Sequence, residues 1–215
     1  EHLRDEIWRM GRQARDAAHA LTRLTTADKN AILLAMADAI DESEDLILAE
    51  NAKDIEAAEQ ADLPAALRDR LRLDHDRVAA ISRGIREVAE LHDPTGEVIR
   101  EWTRPNGLRI VKERTPIGTI GIIFESRPDA VIQIGSLALR TGNGVLLKGG
   151  SEAMHSNRML IGVLREALDR AGAPADVVCG IEGREAVSTL LTLDDAIDLV
   201  IPRGSGELVR AIQDA

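Results

Sequence analysis

Residues 116–150 read PIGTIGIIFESRPDAVIQIGSLALRTGNGVLLKGG, a complete strand, loop, helix, strand unit. Residues 117–124 are a nearly continuous apolar run of strand length, rich in β-branched side chains, as a parallel strand buried on both faces requires. Pro128 cannot continue a ladder and suits a first helical turn. Val131, Ile134, Leu137 and Ala138 then recur at helical spacing until Gly142 supplies a C-cap. The next apolar run, 145–147, ends on Lys148, Gly149 and Gly150. A cation and a flexible backbone therefore stand at a strand's carboxyl end, where open α/β sheets bind their ligands.

Outward from this unit the alternation continues. Strands are expected near 119–124, 145–148, 177–181 and 197–201, with helices over 130–140, 152–171 and 184–192 and another starting near Glu207. Crossovers of that length make neighbouring strands parallel and right-handed in connection. The fold class expected is α/β, a Rossmann-like parallel sheet flanked by helices over 116–215. Three loops then fall at strand carboxyl ends: 125–129, 148–152 and 202–206. In the third, PRGSGE, Gly204, Ser205 and Gly206 precede a helix, where free backbone N–H groups and the positive dipole end favour a phosphate. Each loop alone is ambiguous: a strand-end lysine is ordinarily solvated, and Arg127 can pair with Glu125 or Asp129 at the surface. Their convergence on one sheet edge raises all three.

Upstream, residues 1–95 read as amphipathic helices: 1–24 with Leu3, Ile7, Met10, Ala14, Ala17 and Leu21 on one stripe, a second opened by Thr25 and Asp28, a third capped by Ser43, and a fourth from Asp74. Each has one apolar face, and the downstream sheet is the expected partner. Between helices and sheet, residues 96–115 read as a protruding β-hairpin around Pro105, Asn106 and Gly107, with one face exposed. An isolated hairpin is marginal, so a subunit interface is expected there.

Composition narrows the function classes. A formal charge of −10 disfavours nucleic acid as a partner, since phosphate backbones need clustered cations. No apolar run approaches the roughly 18 residues of a membrane helix, and the first residues lack a basic-then-apolar leader pattern. No membrane association and a cytoplasmic location are expected. The single cysteine, Cys179, lies in an apolar strand-like run without a neighbouring cation or histidine, which reads as a buried, inert thiol. The histidines never fall at i, i+4, so no metal site is expected.

The segments PIGTIGIIFESRP, LALRTGNGVLLKGGSEAMHSN and DLVIPRGSGELVRAI resemble the glutamate-5-semialdehyde dehydrogenase family of the aldehyde dehydrogenase superfamily. MGRQARDAA, ENAKDIEAA, LRDRLRL, LHDPTGEVI and RPNGLRI extend the likeness over essentially the whole chain. The resemblance implies NADPH-dependent reduction of L-glutamate 5-phosphate to the semialdehyde with release of phosphate, the second step of proline synthesis from glutamate. A cysteine thiolate attacks the acyl phosphate in that family, and hydride reduces the thioester. It also implies a homo-oligomer assembled through the hairpin and a functional link to glutamate 5-kinase.

Carried over by position, Lys148 matches the superfamily lysine that contacts the adenosine ribose. Ser151 stands where NAD-preferring relatives often have a glutamate that would repel a 2′-phosphate. Gly204 and Ser205 match the pyrophosphate-binding turn, and Phe124 and Glu125 the backbone lining the cofactor groove. Arg127, assisted by Ser126, falls at the oxyanion-hole position, where a guanidinium suits an acyl phosphate. The family's nucleophilic cysteine belongs to a second domain after the PRG segment, so no catalytic residue is expected within this chain and the nucleophile is expected beyond Ala215. Two alternatives stay open: a stand-alone nucleotide-binding module, and another acyl-phosphate reductase of the superfamily.

Overall fold

The computed structural model describes residues 2–214. Helices α1 (His2–Leu21), α2 (Thr26–Glu42), α3 (Glu44–Gln60), α4 (Ala65–Leu71) and α5 (His75–Glu90) precede a ribbon of β1 (Val98–Thr103) and β2 (Arg109–Glu113). Then follow β3 (Thr119–Phe124), α6 (Asp129–Thr141), β4 (Gly144–Lys148), α7 (Met154–Arg170), β5 (Val178–Gly180), α8 (Glu185–Leu190), β6 (Leu199–Arg203) and α9 (Gly206–Gln213). Strands β3 to β6 form one parallel sheet in the order β5-β4-β3-β6.

The deciding unit folds as its sequence demands. All of β3 is buried, and α6 ends where Gly142 adopts φ 72, a left-handed conformation that costs glycine little. Alternation along β4 splits the core in two. Val145 and Leu147 pack with Ile120, Ile122, Phe124 and Ile132 on the α6 and α7 side, whereas Leu146 packs with Ile7, Ala14, Ala186 and Leu190 under α1 and α8.

Those packing choices revise the expectation for the N-terminal helices. Only α1 lies on the sheet. Helices α2 and α5 pack most closely against each other and, together with α3, lie on α6 and α7, because those two already cover that face. The cluster nevertheless runs unbroken from Leu33 and Met36 through Val131 to Leu147. A buried ion pair reinforces this layer: Lys29 Nζ stands 2.9 Å from Asp93 Oδ2, with side chains 1% and 8% exposed, and also donates to the Arg140 carbonyl.

Other differences have local causes. Thr25 and Asp28 do form a reciprocal capping box, but Ser43 makes no side-chain cap; its backbone N–H bonds back into α2, leaving no gap before α3. Helix α4 follows Pro64 and is too short to show a periodic stripe. Strand β6 starts two residues later than expected, because Ile197 belongs to the core beneath α1 and Asp198 turns its carboxylate onto the Thr119 N–H. The β1–β2 ribbon exposes both faces: every β1 residue is exposed, Val98 and Ile99 by about half. It makes no strand pairing with the four-stranded sheet.

Candidate functional site

Strand register puts the loops together. Ile123 faces Lys148 on one side and Pro202 on the other, and Leu147 faces Gly180, so β3, β4, β5 and β6 end nearly level. Their following loops therefore share one sheet edge. A cleft of about 770 Å³ opens there, and it is lined by all the residues singled out from sequence: Phe124, Glu125, Ser126, Arg127, Lys148, Ser151, Gly204 and Ser205.

Within the cleft the Gly204–Ser205 turn is already occupied by an acid. The Ser205 N–H donates to Glu125 Oε2 at 2.8 Å, and Ser205 Oγ accepts from the Leu208 N–H at 3.3 Å as the N-cap of α9. The turn thus has the expected helix-start geometry, but its leading N–H is not free. A Cβ on Gly204 would collide with the same Glu125 carboxylate.

Ser126 is held in an unusual conformation. Its φ is 41, in the left-handed region that branched and non-glycine residues avoid, and it is buried. Glu152 Oε1 accepts both the Ser126 N–H and its hydroxyl at 2.7 Å. That pair of hydrogen bonds to one carboxylate oxygen clamps the 125–128 loop to the start of the next crossover. Arg127, the following residue, is left exposed, and among the described residues its guanidinium has only a 3.4 Å contact to Asp129 and none to Glu125.

Arg127 and Arg70 also line a second groove of about 610 Å³ between α5 and α6, floored by Ile81, Ile85, Val88 and Ile132. On the opposite side, a third cleft of about 690 Å³ runs from β4 and β5 along α7. Lys148 sits at its mouth and donates to the Gly149 carbonyl at 2.7 Å. Burial holds its ammonium below the usual lysine range; Glu152 pulls it back up and Arg184 presses it further down. Asn157 lines this cleft, is 8% exposed, and has a side-chain oxygen without a hydrogen-bond partner among the described residues. A Cβ on Gly149 would overlap the Asn157 amide, and one on Gly150 the Glu152 carboxylate, so backbone alone fits along this wall.

Cys179 lines the same cleft from beneath but is unsuited to nucleophilic work. It is 4% exposed, burial pushes its thiol up to about 11, and its S–H points to the Asp176 carbonyl at 3.4 Å.

Sequence reasoning missed Glu152, Asn157 and Arg184. No spacing rule marks them. Glu152 and Arg184 look like solvated surface charges, and Asn157 like any polar residue of a helical first turn. It also gave no role to Asn51 and Asp54. Asp54 accepts the Ser156 N–H at 2.8 Å and the Ser156 hydroxyl at 2.6 Å, while Asn51 donates to Ser156 Oγ and the Leu71 carbonyl and accepts the Leu73 N–H. These two side chains of α3 seat the start of α7, which carries the cleft wall.

Among the described residues no helix is long and apolar enough to cross a membrane, and no group of three or more His, Cys, Asp or Glu is arranged to hold a metal ion. The family model for the aldehyde dehydrogenase family matches residues 3–215. The chain is 47% identical over 209 residues to the gamma-glutamyl phosphate reductase of Moorella thermoacetica, covering 96% of this chain and 50% of that protein. Among solved structures, the gamma-glutamyl phosphate reductase of Thermotoga maritima superposes with a TM-score of 0.93 at 38% identity, covering 96% of this chain and 50% of that one. The enzyme of the same name from Saccharomyces cerevisiae gives 0.88 at 34% identity, covering 96% and 53%. The chain spans about half the length of the curated relatives it matches.

Proposed function

This chain belongs to the aldehyde dehydrogenase family, and from that premise we propose that it forms the cofactor-binding part of an NADPH-dependent reductase converting L-glutamate 5-phosphate to L-glutamate 5-semialdehyde with release of phosphate. The observation that carries the reading is the convergence of three strand-end loops on one cleft with a cationic, glycine-lined wall. Aldehyde dehydrogenase membership implies a nicotinamide cofactor, and the residues present fit one. The orphaned acceptor of Asn157 and the close backbone approach at Gly149 and Gly150 suit a nucleoside; Lys148 suits its ribose or phosphate. Gly204 and Ser205 suit the pyrophosphate once Glu125 turns aside. When bound, the cofactor supplies the hydride.

The chain's own residues bind and orient. Glu152 fixes Ser126, so that Arg127 projects toward a substrate phosphate without spending its guanidinium on a strong internal pair. The α5–α6 groove meets the cleft at Arg70 and Arg127, which gives an anionic substrate an approach separate from the cofactor's. The nucleophile is not Cys179; the reading assigns it to the part of the relatives that this chain does not span. The ribbon β1–β2, with Val98, Ile99, Trp102 and Val111 exposed, suits contact with a second copy. A cytoplasmic location and a link to glutamate 5-kinase go with this reading.

The full-length protein is expected to catalyse phosphate-dependent, NADP-linked oxidation of glutamate 5-semialdehyde. Arg127→Ala should raise the substrate KM or lower kcat by roughly tenfold or more, the scale of a charge-assisted phosphate contact. Wild-type KM and kcat in that variant would remove Arg127 from the site. Absence of the activity in the wild-type protein would remove the function.

A further inference from the structure

Among the described residues, Arg70 and Arg127 alone line both the strand-end cleft and the α5–α6 groove. Arg72 and Arg77 border the groove as well, but neither reaches the cleft. Arg77 is spent: it donates to the Asp69 and Arg72 carbonyls and pairs with Asp69 Oδ1 at 2.8 Å. Those bonds fasten the end of α4 to α5 and so fix where Arg70 stands. Arg70 itself is exposed, and its guanidinium has no hydrogen-bond or ion-pair partner among the described residues. On α6, Asp129 commits Oδ2 to Gln133 and Arg127, and its Oδ1 has no partner among the described residues. The groove is also kept open. Arg77, Ile81, Gly84 and Val88 follow one stripe of α5, and a Cβ on Gly84 would meet nothing within 4 Å. A glycine inside a helix is destabilising relative to most side chains. Here it leaves empty the space that a side chain would take from the groove.

We propose that Arg70 binds the α-carboxylate of the glutamyl substrate, and that Gly84 keeps the room its amino-acid end needs. The inference rests on the substrate reading above, in which Arg127 takes the phosphate. Glutamyl phosphate carries an anion at each end of a short methylene chain, with an ammonium beside one of them. The junction of cleft and groove offers the complementary set: two guanidinium groups without a strong partner and a carboxylate oxygen left free. A guanidinium takes a carboxylate through two parallel N–H···O bonds, which fixes direction as well as charge. Ile81 and Ile85 on the groove floor give the methylenes an apolar surface. An aldehyde without the second anion leaves Arg70 idle.

The test is steady-state kinetics of the full-length protein oxidising glutamate 5-semialdehyde with NADP+ and inorganic phosphate, the KM of semialdehyde and of phosphate being read separately. Arg70→Ala should raise the semialdehyde KM roughly tenfold or more and leave the phosphate KM within about twofold. Arg70→Lys keeps the charge without the fork and should fall between the two. With 4-aminobutanal, which lacks the α-carboxylate, wild type and Arg70→Ala should be equally poor. Arg72→Ala removes a charge from the same groove away from the junction and should leave both KM values as in wild type. Gly84→Leu fills the groove with a better helix former, so the semialdehyde KM should rise several-fold without a lower melting temperature. Arg70 is exposed, so Arg70→Ala should melt as wild type does. A raised phosphate KM with an unchanged semialdehyde KM would assign Arg70 to the phosphate and overturn the proposal. Wild-type kinetics in Arg70→Ala or Gly84→Leu, or an equal effect of Arg72→Ala, would overturn it too. Each of these sinks this inference alone; a wild-type protein without the activity sinks the substrate reading with it.

Discussion

Glu152 Oε1 takes both the backbone N–H and the hydroxyl of Ser126 at 2.7 Å, and Ser126 is one of two described non-glycine residues with positive φ. A strained residue persists only when its surroundings over-determine it. Here one carboxylate oxygen supplies that constraint across the sheet edge, from the crossover after β4 to the loop after β3. Removing it leaves buried donors unsatisfied. Glu152→Ala is therefore expected to cost about 1–3 kcal/mol in urea unfolding, and to lower turnover of the full-length protein by letting the loop that carries Arg127 relax. Glu152→Gln keeps an acceptor and should lose less. A Glu152→Ala protein with wild-type stability and turnover would show that the clamp has no consequence.

A second carboxylate sits where a ligand is expected. Glu125 accepts the Ser205 N–H that opens α9, so a cofactor pyrophosphate bound at this turn as proposed would have to displace an internal anion. Glu125→Ala should tighten NADP+ binding several-fold and leave AMP, whose single phosphate can remain outside the turn, nearly unchanged. Weaker NADP+ binding in the variant would mean that Glu125 supports the cofactor instead of competing with it.

How much of this was legible beforehand depends on the range of the interaction. The β3–α6–β4 unit was readable because burial on both faces, Pro128 and Gly142 act within a few residues. The convergence of three loops followed from parallel topology alone. The partnerships across loops were not readable. Glu125 with Ser205, Glu152 with Ser126, and Asp54 with Ser156 join residues 80, 26 and 102 positions apart, and an acid in a polar loop carries no local signature of its partner. Ser43 failed as a cap for the same reason in reverse. Its local pattern was right, but the chain passes from α2 to α3 so tightly that the backbone takes over the capping bond.

Lys29 and Asp93 make stability pH-dependent. Burial alone would raise the Asp93 carboxyl, but hydrogen bonds from Lys29 and Thr95 outweigh it and hold the group below its ordinary 3.8. A carboxyl depressed on folding contributes stability that is complete above its unfolded value and is lost as pH falls through the folded one. Urea unfolding followed from neutral pH into the acid range should show this decline, and Asp93→Asn should flatten it while lowering stability at neutral pH. Lys29→Met leaves the buried carboxylate without its cation, at a cost of about 3–5 kcal/mol. An acid limb of the same slope in Asp93→Asn would assign the pH dependence to other groups.

Cys179 separates structural from chemical use of a thiol. It sits on β5 opposite Leu146, packed among Leu146, Ile181 and Leu190, with Arg165 3.6 Å from its sulfur. The guanidinium would favour the thiolate, yet burial dominates and the thiol lies near 11. At neutral pH the nucleophilic form is therefore scarce, and only 4% of the residue is exposed at the floor of the cleft. Iodoacetamide should label Cys179 in the folded protein only at the rate of unfolding, becoming fast in denaturant. Cys179→Ala, which removes a buried sulfur and leaves a small void, should cost about 1 kcal/mol and leave turnover of the full-length protein unchanged. Rapid labelling of native protein accompanied by loss of activity would instead place this thiol at the reacting centre.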